Sequence, residues 1–161
     1  MSTTQEAPAS TQVRWLEPEQ QSHWRAYLTA SAIITTALSA QLEEEAGLSL
    51  SEYEVLVRLS EAEDHTLRMS QLADGLVHSR SRLTHTVRRM EERGLVERRP
   101  CEADGRGVNC HMTPLGFETL VAAAPGHVMA VRRVLVDVLT PEQFEALGTA
   151  MAAVTEAFES R

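Results

Sequence analysis

HSRSRLTHTVRRMEERGLVERRPCEADGRG, residues 78–107, decides how this chain is read. The stretch holds eight of the fifteen basic residues: Arg80, Arg82, Arg88, Arg89, Arg93, Arg98, Arg99 and Arg106. Five acids, Glu91, Glu92, Glu97, Glu102 and Asp104, leave it at +3 in a chain of net charge −8, so the remainder stands at −11. Leu83, Val87 and Met90 fall on one side of a helical wheel, which predicts a helix from Ser79 to Arg93 with one apolar face. Gly94 suits the residue just past its end. Two strand-like runs then flank Asp104-Gly105-Arg106-Gly107, a turn-prone tip, and predict a β-hairpin.

Upstream, LRMSQLADGLVH reads as a short extended piece at Leu67–Met69, a helix from Ser70 to about Leu76, and a tight turn at Val77-His78. Farther out, residues 17–45 carry apolar side chains at spacings of three and four and predict a long helix that Gly47 stops. Ser49 or Ser51 can cap a second helix running to about Ala62. Downstream, Thr113-Pro114 supplies an N-cap and a first helical residue. Pro125-Gly126 is expected to kink or break that helix before it resumes through Val138. Thr140-Pro141 opens a last helix, on which Phe144, Leu147, Met151, Val154 and Phe158 form a seam that requires another helix.

The bulk composition sets limits. The chain has 161 residues, 43% apolar and 24% charged, enough for one domain with a real core. No uninterrupted apolar run has the length of a membrane span, and MSTTQEAPASTQ has neither the basic nor the apolar region of a signal peptide. Residues 1–14 are expected to be a disordered tail. Two cysteines without a secretion signal point to the cytoplasm, at the nucleoid, with free thiols. No phosphate loop, metal-ligand spacing or nucleophile motif is present, so the expectation is no enzyme, no cofactor and no metal site. The acidic total disfavours indiscriminate binding of polyanions, while one basic face allows docking in one orientation.

A helix, a tight turn, a second helix and a hairpin make a winged helix-turn-helix, whose second helix enters the DNA major groove. The expected fold class is mainly α with a small β-hairpin wing. On the predicted second helix, Ser81, His85 and Arg88 oppose the apolar face, with Arg82, Thr84 and Arg89 on its flanks. These donors suit base edges and phosphates, and the helix N-terminus suits phosphate. Arg106 between two glycines suits the electronegative minor groove. The bland alternative is a solvated helix carrying ion pairs such as Arg88–Glu92. Glu91, Glu92, Glu97 and Arg93 are read in that structural sense.

The order of elements resembles the MarR family of bacterial transcriptional regulators, from about Glu17 to Phe158. The segments LRMSQLA, SRSRLTHTVRRMEERGLVERR, ADGRG and HMTPLG carry the likeness. The resemblance implies a homodimer whose N- and C-terminal helices interleave, with residues 15–48 and 114–161 as the dimerisation region. Residues 49–113 would then form the winged domain, and two such domains would sit on one palindromic double-stranded operator. It assigns Ser79, Arg80, Ser81, Arg82, Thr84, His85, Arg88 and Arg89 to the reading helix, and Asp104 and Arg106 to the wing. The family's wing is usually basic after the Asp, where this chain has Gly105, which implies a smaller salt dependence.

The resemblance also implies repression relieved by a small aromatic or anionic ligand, held near Trp24, Tyr27, Tyr53 and His127; ordinary helix packing is the alternative for each. Two other readings stand beside it. One is a redox sensor: with a hairpin centred between Gly105 and Arg106, Cys101 would face Cys110. The other is a protein-interaction module that has kept the fold.

Overall fold

The computed structural model describes residues 13–74, 80–101 and 107–159. Most of the tail therefore lies outside the described residues, as do the turn before the basic helix and the hairpin tip. The chain divides after Ile33 into two units. The first holds the start of α1 (Pro18–Ala46), where the Trp24 and Tyr27 rings stack at 5.7 Å and both stay half-exposed.

The second unit holds everything else. α2 (Leu50–Ser60) begins in a capping box. Ser49 Oγ accepts from the Glu52 amide and the Glu52 carboxylate accepts from the Ser49 amide at 2.8 Å, which settles the cap at Ser49. A helical turn at Glu63–His65 leads into β1 (Thr66–Arg68), then α3 (Met69–Asp74) and α4 (Arg80–Glu92). β2 (Val96–Pro100) and β3 (Val108–Met112) form the hairpin. β3 is central in an antiparallel sheet of order β1-β3-β2.

One core joins these elements. Leu42, Leu48, Leu56, Leu59, Leu72, Val87, Met90, Val96 and Cys110 are fully or almost fully buried. α4 ends because Gly94 takes φ +72°, a conformation that costs other residues about 1 kcal/mol or more. The Leu95 amide then donates back to Met90 O at 2.9 Å and the Gly94 amide to Glu91 O at 3.0 Å, satisfying carbonyls at the helix end.

Two sequence expectations are corrected. The first concerns Pro125. α5 (Pro114–Val131) runs through it without a break, and the irregularity comes later as one π-helical turn at Arg132–Val136. Proline removes one amide donor, and the helix continues across that single missing bond. The second concerns the hairpin register. Val96 pairs with Met112, Arg98 with Cys110 and Pro100 with Val108, three residues away from the expected alignment. Val96 and Met112 are both buried, and burying that pair fixes the register. An odd offset sends Cys101 and Cys110 to opposite faces of the sheet, so the proposed cross-strand pair does not exist. Both thiols are free and buried, and burial pushes Cys110 up to about 12.

α6 (Pro141–Glu159) starts in a second reciprocal cap between Thr140 and Gln143. Its expected seam is solvent-facing in the single chain: Phe144 is 41% exposed and Phe158 70%. The stretch Pro114–Val136 is long and apolar enough to cross a membrane by length and composition, with little of it buried in the chain.

Candidate nucleic-acid interface

α4 buries Leu83, Val87 and Met90, together with the hydroxyl-bearing Thr86. The opposite side leaves Ser81, Arg82, Thr84, His85, Arg88 and Arg89 exposed. This is the face that the sequence pattern assigns to DNA. Arg80 opens the helix. Ser79, Asp104 and Arg106 lie outside the described residues.

Several contacts hold this face in place. At the far end of α4, Glu91 grips the first wing strand. Its Oε1 accepts from the Arg98 amide at 3.0 Å, and its Oε2 accepts from Arg98 Nε at 3.0 Å and Nη2 at 2.7 Å. Hydrogen bonds from Arg98 hold the Glu91 carboxyl below its ordinary range, and Glu91 raises Arg98 in return. The reading helix and the wing are thus one unit at this point. A second lock joins α4 to α5. Thr113 Oγ1 donates to Gly94 O at 2.6 Å and accepts from the Gly116 amide at 3.1 Å, capping α5 on the end of α4. The Thr-x-x-Gly motif follows from this packing: a Cβ at residue 116 would stand 2.1 Å from Leu95 O.

A third lock was not legible in the basic segment. Glu52 of α2 pairs with Arg89 of α4 and with Arg93 just past its end, at 3.2 and 3.3 Å. Arg88 pairs with Glu92 at 3.1 Å, and Arg99 pairs with Glu97. Arg88, Arg89, Arg93, Arg98 and Arg99 therefore all have carboxylate partners. The bland reading of the charge run holds for the strand and for the end of the helix. The sequence did carry a signal for Glu52: Ser49-x-x-Glu52 is a capping-box spacing.

Of the residues assigned to a ligand, Tyr53 and His127 meet, with ring centroids 4.4 Å apart. His127 Nδ1 lies 3.2 Å from Gln41 Oε1, and burial lowers its pKa. Trp24 and Tyr27 meet each other within the first unit.

A helix-turn-helix core with a three-stranded wing matches known regulators. The family model for MarR covers residues 46–107. Sco3205, a MarR family transcriptional regulator from Streptomyces coelicolor solved in complex with DNA, is 42% identical over 92% of both chains, with a TM-score of 0.88. This chain belongs to the MarR family. AbsC, a MarR family regulator from the same organism, is 40% identical over 92% of this chain and all of its own, with a TM-score of 0.86. The HTH-type transcriptional regulator PecS of Dickeya dadantii (strain 3937) is 32% identical over 58% of this chain and 55% of its own. The chain spans about half the length of that curated relative. The protein is therefore a MarR-family transcriptional regulator and not an enzyme.

Proposed function

We propose that this MarR-family regulator acts as a homodimer on a palindromic double-stranded operator, as a repressor in the cytoplasm that a small aromatic or anionic ligand releases. The observation that carries the reading is α4 itself. One face is buried, and the other offers Ser81, Arg82, Thr84, His85 and Arg88 beside a wing tied to the helix by Glu91–Arg98. Ser79 and Arg80 extend that set toward the helix start, and Arg106, with Asp104 beside it, enters the minor groove. Residues 49–113 form the winged domain, with residues 15–48 and 114–161 as the dimerisation region.

The dimer reading is supported by apolar side chains that the single chain leaves uncovered. Phe117, Val121 and Val128 on α5, and Phe144, Met151 and Val154 on α6, are 37–56% exposed. Such surface on a soluble chain marks an interface. The same burial accounts for the hydropathy of Pro114–Val136 without a membrane. The ligand reading is supported by the buried Tyr53 ring against the half-buried His127, whose imidazole pKa burial lowers.

Fluorescence anisotropy on the upstream intergenic duplex, against a shuffled duplex over a salt series, tests the proposal. Two protomers per site, preference for the intergenic duplex and a steep loss with salt are expected. His85→Ala should relax sequence preference, and Arg106→Ala should reduce the salt slope by about one contact per protomer. Equal binding of parent and both variants overturns the docking.

A further inference from the structure

Glu52 of α2 holds two arginines at the C-terminal end of the reading helix. Its side chain is 5% exposed, whereas Arg89 and Arg93 are 46% and 41% exposed. Oε1 accepts from Arg89 Nη2 at 3.2 Å; Oε2 accepts from Arg93 Nη1 at 3.3 Å and from the Ser49 amide at 2.8 Å. Arg89 Nη2 also lies 3.4 Å from Ser49 Oγ. Arg89 on α4 and Arg93 in the turn that follows it stand four residues apart, joined by the Arg93 amide to Arg89 O at 3.2 Å. A carboxylate so buried requires a cationic partner, and this one has two.

We propose that Glu52 is a positioning residue for DNA reading. It fixes the C-terminal half of α4 against α2 and draws Arg89 and Arg93 toward the protein, away from phosphate. Arg89 then sets the pitch of the reading helix rather than touching the duplex. The neighbouring residue extends the argument. Tyr53 packs on His127 of α5, so α2 is anchored at adjacent positions to the reading helix and to α5. The proposal rests on the DNA-binding reading above.

The test uses the full-length protein with a random-sequence duplex and the upstream intergenic duplex. Arg89→Gln should leave the salt slope on the random duplex unchanged, whereas loss of a phosphate contact lowers it by about 0.9 per contact. Glu52→Gln keeps the shape and the acceptor for the Ser49 amide but loses the charge. It should lower the preference for the intergenic duplex at least tenfold while random-duplex binding holds or tightens. In the free protein, Glu52→Gln and the double variant should speed amide hydrogen exchange over residues 86–93 to the same extent, and Arg89→Gln to a smaller one, because only the loss of Glu52's charge also weakens the pair with Arg93.

A lower salt slope in Arg89→Gln overturns the proposal, and so does a Glu52→Gln protein that keeps its preference and merely melts earlier. Should Glu52→Gln fail to fold, the Arg89→Gln slope and exchange decide alone. A parent that binds neither duplex overturns the DNA reading and this proposal together; a binding parent with unaltered variants overturns only this one.

Discussion

Gly116→Ala tests the lock between α4 and α5. A Cβ at this position would stand 2.1 Å from Leu95 O, 3.1 Å from Leu95 C and 3.0 Å from Met112 Cγ. Ordinary carbon–oxygen approach is about 3.3 Å, so the first turn of α5 must retreat by roughly 1.2 Å. The obstacle is backbone and cannot rotate away. Retreat stretches the bond from the Thr113 amide to Leu95 O, now 3.1 Å, and the Thr113 hydroxyl bond to Gly94 O, now 2.6 Å. Loss of the cap costs about 1 kcal/mol and the residual overlap about 1–3 kcal/mol. The total of about 2–4 kcal/mol lowers Tm by roughly 5–15 °C for a chain of this size. Gly148→Ala is the control. Nothing lies within 4 Å of its Cβ position in α6, so the gain in helix propensity should raise stability by about 0.5–1 kcal/mol. Thermal unfolding by circular dichroism at fixed protein concentration measures both. A Gly116→Ala Tm within about 1 °C of the parent would refute the clash argument.

Glu91→Ala removes the grip on Arg98; both side chains are about one-third exposed, so stability should fall by only about 1 kcal/mol. Because the folded-state pKa of Glu91 is depressed, that contribution is present at neutral pH and lost as pH falls through the folded value, and the variant should lose less stability on acidification than the parent. Burial lowers His127 below 6.5, and Glu54 opposes the shift. The unfolded chain then binds the proton more readily, so Tm should fall as pH drops below about 6.5, and His127→Gln should flatten that dependence. Oxidation with diamide should leave both thiols titratable after unfolding, since Cys101 and Cys110 lie on opposite faces of the sheet; an intramolecular disulfide, seen by mass spectrometry, would contradict the register.

Residues 78–107 determined much of this protein without tertiary information. Local rules suffice for Gly94 ending a helix, Thr113-Pro114 starting one, and Leu83, Val87 and Met90 marking a buried face, because each depends on neighbours within two turns. The exposed face of α4 followed as the complement of the buried one. Tertiary packing decided the rest. The strand register turned on burying Val96 opposite Met112, a choice that turn residues alone leave open, and it separated the two cysteines. Pro125 stayed inside α5, whose ends are fixed by the Thr113 cap and the turn at Arg132–Val136 rather than by the proline. The partners of Arg89 and Arg98 lie 37 and 7 residues away. A charge count sees eight arginines in one segment; only the folded chain shows which of them a carboxylate already holds.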